Sequence, residues 1–98
     1  AADRLVTENR IVRDLLAAGC NLLGDAVPPS VPEALAAPAA PSLRVSDLQR
    51  ENDLLRAALI DLHAAVEQTP GPAARDLDER IWAELVESTR RRHLSARP

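Results

Sequence analysis

Apolar positions recur every three to four residues along two long stretches of this chain, and both stretches open on the same phrase. Leu5, Val12, Leu15, Leu16, Leu22 and Leu23 mark the apolar face of the first; Leu48, Leu55, Leu59, Leu62 and Val66 mark that of the second. Such spacing predicts amphipathic helices over about 2–23 and 46–68. Residues 5–13 and 48–56 both read Leu-x-x-Glu-Asn-x-apolar-apolar-Arg, 43 positions apart. The chain is therefore read as an internal duplication, each copy carrying an Asn on an otherwise apolar seam.

Heptad counting on the second helix places Val45, Asn52, Leu59 and Val66 at a, with Leu48, Leu55 and Leu62 at d. Leucine at d with one Asn at a is a pattern of short parallel coiled coils, where the Asn fixes alignment at some cost in stability. In the first helix the same register gives Asn9, Leu16 and Leu23 at a, and Leu5, Val12 and Gly19 at d. Ile11, Leu54 and Ile60 widen these faces beyond a strict stripe, which predicts a third helical neighbour. If the two copies lie side by side and parallel, Asn9 and Asn52 share one layer and bond to each other. Antiparallel packing sets each amide against apolar side chains, at about 1–3 kcal/mol apiece. A parallel homodimer, pairing the second helix with its own copy, is the main competing arrangement.

Between the copies, prolines at 28, 29, 32, 38 and 41 punctuate residues 25–44. Their density predicts a semi-extended linker with at most a single turn over 33–37. At roughly 3 Å per residue such a segment can retrace a 20-residue helix of about 30 Å, which parallel packing requires. Ser46 with Gln49 reads as a capping box for the second helix. Thr69-Pro70-Gly71-Pro72 breaks the chain again. A third helix follows over about 73–94, with Leu77, Ile81 and Leu85 on one face beside Ala74, Trp82 and Val86. The expected organisation is thus helix one within 1–24, a Pro/Ala-rich linker over 25–44, helix two within 45–68, and helix three with a basic end over 69–98. This is an all-α, three-helix bundle whose first two helices are coiled-coil-like.

The chain has 98 residues, one aromatic residue (Trp82), and no Phe, Tyr or Met. At about 25 cal/mol per Å², a core of Leu, Val, Ile and Ala offsets chain entropy with difficulty in so short a protein. Self-association or docking onto a larger protein is the expected remedy. All 12 basic residues are Arg, which points to a GC-rich bacterial genome. The net charge of −3 argues against general nucleic-acid binding. No apolar run reaches the length of a membrane span, no secretory leader pattern opens the chain, and one Cys builds no intrachain disulfide. These features predict a cytoplasmic setting. The absence of an initial Met leads us to expect a natural start other than Ala1.

Candidate chemistry is sparse, and neither a cofactor nor a catalytic set is expected. Cys20 maps onto His63 through the repeat, with Glu67 one turn further. These three are weak metal or thiol-enzyme candidates. Trp82 is read either as a lid on the core edge or as an anchor for a partner protein. Arg90, Arg91 and Arg92, with His93 and Arg97, form the one basic cluster, read as a charged partner-binding rim or a nucleic-acid contact. A zipper-type DNA reader carries its basic region just before the leucine heptads. Only Arg44 stands there, so that reading is disfavoured. The expected function is a non-catalytic helical interaction or assembly module, an accessory or regulatory subunit binding another protein or its own copy. A nucleic-acid-associated regulator using the Arg cluster is the alternative.

Overall fold

The structure, a computed structural model, describes residues 2–96. Four helices pack against one another: α1 (Ala2–Leu23), α2 (Ser30–Ala36), α3 (Val45–Glu67) and α4 (Pro72–Ala96). There are no strands among the described residues. α1 stops at Gly24, whose φ of 56° lies in the left-handed region that ends helices cheaply only for glycine. A single 3-10 turn, Gly24–Ala26, follows. Gly71, with φ 112°, makes the corresponding turn before α4, and Pro72 opens that helix where its missing N–H costs nothing.

The core runs between α1 and α3 and is closed by α4. Val12, Leu15 and Leu16 of α1 meet Leu55, Leu59, Leu62 and Val66 of α3, with Leu77 and Ile81 of α4 sealing them from water. The register of the two long helices follows from two contacts. Asn9 bonds to Asn52, and an added Cβ on Gly19 would lie 2.5 Å from the Leu62 side chain. Both contacts join repeat-equivalent positions. α1 and α3 therefore ascend side by side in the same direction, and Asn52 is fully buried inside the chain rather than offered to a second copy. α4 returns the opposite way, with Arg56 of α3 donating to Thr89 at 3.2 Å and His63 stacked near Trp82.

The linker departs from its expected extended form. Residues 30–36 make a fourth helix despite the prolines. Pro32 falls in its first turn, where an amide has no intrahelical acceptor and proline does no harm. Val31 and Ala34 are wholly buried against the core, and Ser30 Oγ donates to Asp61 of α3 at 2.7 Å. Burial of two small apolar residues is what the turn needed, and the proline count concealed it. Three further expectations are corrected. The Ser46 cap does not form: Arg44 is the N-cap, and Ser42 Oγ instead donates to Asp47 at 2.6 Å. Val45 leaves the seam and is half exposed. Leu54 and Ile60 point to solvent instead of widening the core. The third neighbour docks on the a/d stripe itself, so residues beside that stripe stay outside.

Among the described residues, no helix is long and apolar enough to cross a membrane.

Candidate functional site

Two side-chain assemblies stand out, one inside the bundle and one on its outer face. The inner one grows from the duplicated Glu-Asn pair. Asn52 Nδ2 donates to Asn9 Oδ1 at 2.8 Å and to Glu8 Oε1 at 2.9 Å, while Arg92 of α4 donates to Asn52 Oδ1. Asn9 Nδ2 donates in turn to the Leu48 carbonyl at 3.2 Å. Both hydrogens and the oxygen of the Asn52 amide are thus matched, as its complete burial demands.

Glu8, only 4% exposed, is held on its other oxygen by Arg91 at 3.2 Å. Arg91 also donates to Glu84 at 2.9 Å. Burial works against the Arg91 charge, yet Glu84 and Glu8 together outweigh it and raise its pKa. Burial pushes the Glu84 carboxyl up, with Arg91 pulling against it. Burial, seconded by the Arg92 charge, lowers Arg56. One polar cluster thereby joins α1, α3 and α4 at a single level.

This cluster changes the standing of the C-terminal arginines. Arg91 turns into the bundle, and Arg92 divides its donors between Asn52 and Asp53, the latter at 3.3 Å. Arg91 pairs with Glu8 and Glu84. Only Arg90 and His93 of the basic set are exposed, and Arg97 lies outside the described residues. The local sequence spacing gave no sign that Glu8, 83 residues away, would claim Arg91.

The outer assembly lies along the α3/α4 seam. Asp53, Arg56, Ile60, His63 and Glu67 lie on one face of α3 by their i, i+3, i+7 spacing, and Asp78, Trp82, Val86 and Thr89 lie on one face of α4. The pairs Asp53–Arg92, Arg56–Thr89 and His63–Trp82 fix an antiparallel register that sets Ile60 level with Leu85, one residue from Val86. Ile60 is 57% exposed, Trp82 58% and Val86 48%, three large apolar side chains together on one seam.

At the end of this stripe nearest the α3–α4 turn, His63 Nε2 lies 3.1 Å from Asp78 Oδ1 and 3.5 Å from Glu67 Oε1. A potential ligand atom from each of the three residues falls within 4.8 Å of the others. His63 and Glu67 are the pair expected from sequence. Cys20, partly buried and a free thiol, is not part of this group; Asp78 takes its place. The repeat placed Cys20 and His63 at one height, but height around a helix does not fix direction, and His63 turns toward α4. Asp78 was invisible to that reasoning because its partner depends on how α4 folds back.

No family model matches this sequence, and no characterised relative or solved structure is similar to it.

Proposed function

We propose that this chain is a non-catalytic helical interaction module, an accessory or regulatory subunit of a larger protein or enzyme complex, acting in the cytoplasm. The α1/α3 pair serves as a coiled-coil-like parallel core that is rigid because its alignment is fixed by buried amides. α4 then presents a docking face on the outer α3/α4 seam. The observation that carries the reading is the exposure of Ile60, Trp82 and Val86 on that seam. Scattered surface apolar residues need no explanation, but three large ones along one seam, one a Trp, are the kind of residues that interfaces use. Arg91 and Arg92 contribute to the shape of the face through their internal bonds, leaving Arg90 as its free charged rim.

A photo-crosslinking amino acid placed at position 82, against a control at exposed Glu33 on α2, tests this reading. Adducts of defined mass from position 82 only, either a second copy of this chain or another protein, are expected, and Ile60→Asp is expected to suppress them. Equal adducts from both positions, or a chain that stays monomeric and unlabelled at 82 in its native extract, would contradict it.

A further inference from the structure

We propose that His63, Glu67 and Asp78 form a binding site for a first-row divalent metal ion of the zinc class, clamping the end of α3 to the start of α4. The two separations from His63 fit the ion. In a tetrahedral zinc site with bonds of about 2.0–2.1 Å, ligand atoms stand roughly 3.3–3.4 Å apart. The separations of 3.1 and 3.5 Å from His63 Nε2 bracket that value.

The hydrogen-bond accounting points the same way. Two carboxylates converge on one ring nitrogen, which carries at most one proton and so serves one acceptor well. Asp78 Oδ1 is shielded from water and faces His63 Nε2 at 3.1 Å without a well-formed hydrogen bond. A shared divalent cation meets both carboxylates and the imidazole lone pair together. Imidazole with carboxylates is a donor set that suits zinc and its neighbours.

The surroundings prepare the ring without blocking it. Trp82 packs over His63 with ring centroids 5.6 Å apart and planes tilted by 30°. A ring at that distance and tilt restricts rotation of the imidazole. Glu67 and Asp78 also line a solvent-open hollow beside Thr69 and Gly71, where water can complete the coordination shell. Arg75 borders the same hollow, but it is exposed, and an exposed charge is screened by solvent and salt.

The test uses the full, tag-free chain, stripped of metal with a chelator and titrated with Zn²⁺ by calorimetry while Trp82 fluorescence is followed. One equivalent is expected to bind and to change the emission of the indole packed on His63. Loss of even an outer-shell partner typically costs roughly 10–100-fold in metal affinity. His63→Gln and the near-isosteric Asp78→Asn are therefore each expected to weaken binding by about tenfold or more, with helical content checked by circular dichroism. Cys20→Ser and His93→Gln are expected to bind as the parent does. Absence of binding to the parent chain overturns the proposal. So does unchanged affinity in a folded Asp78→Asn, or binding that disappears with Cys20 or His93.

Discussion

The two copies of the Glu-Asn phrase share one pattern of residues and do different things. In the first copy Glu8 is buried, bound by Asn52 and by Arg91 of α4. In the second, Glu51 has different partners, with its side chain 10% exposed; it accepts two bonds from Arg13, at 2.8 and 3.0 Å, and one from the Ala40 amide of the linker at 3.2 Å. The arginines diverge as well: Arg13 crosses to the other copy, while Arg56 turns to Thr89 of α4. Only the layer between the copies keeps its symmetry, Asn facing Asn. Each flank of the parallel pair has been specialised by what covers it, α4 on one side and the proline-rich strap on the other. A duplicated seam gives two sites with one alignment, and the third and fourth elements decide what each site becomes.

Breaking the shared layer should have the largest effect. Asn52→Ala strands Glu8, Asn9 and Arg92 around a buried gap, and is expected to lower stability by about 2–4 kcal/mol in urea unfolding. The contrast at Gly19 and Leu62 comes next, since these equivalent positions pack a small residue against a large one. Gly19→Ala gains roughly 1 kcal/mol in helix propensity. It nevertheless forces Leu62 from its place, for a net loss of about 1–2 kcal/mol. A gain in thermal stability would show instead that the two helices are free to move apart there.

Glu51→Ala probes the strap side. It should cost about 1 kcal/mol and make residues 38–44 more readily cut by protease, while leaving the α4 flank unchanged. The smallest effect belongs to Glu84. Its folded-state pKa is raised, so the folded chain holds that proton at a pH where the unfolded chain has released it. The stability it contributes is present below the ordinary glutamate pKa and lost as pH rises through the higher folded value. Glu84→Gln should therefore flatten stability against pH just above the ordinary carboxylate range. An unaltered slope would mean that burial does not control this carboxyl.

Much of this was legible in the chain because it depends on periodicity and on repetition. The bounds of α1 and most a/d residues of both copies follow from spacing, Val45 excepted; the meeting of Asn9 with Asn52 was expected only for parallel packing within one chain, and spacing left a homodimer open beside it. The helix at 30–36 was not legible: proline density argues against a helix only where the prolines fall inside it, and Pro32 stands at the edge. The inward turn of Arg91 and Arg92 escaped for another reason. Helix-end arginines look solvated in sequence, and only the return of α4 alongside Glu8 and Asn52 reveals acceptors for them. Asp78 was hidden in the same way, since a ligand drawn from a different helix leaves no local spacing to read.

The parallel ascent of α1 and α3 is the claim on which the layer, the strap and the docking face all rest. Spin labels at exposed positions test it, in a Cys20→Ser background, using the pairs Thr7/Arg50, Asn21/Ala64 and Thr7/Ala64. At 1.5 Å per residue, the 14 positions from 50 to 64 add about 21 Å of axial offset. The account predicts that the first two pairs are close and that the third is clearly longer. A short Thr7/Ala64 distance with the other two long would mean that the copies run head to tail, and the account would fall.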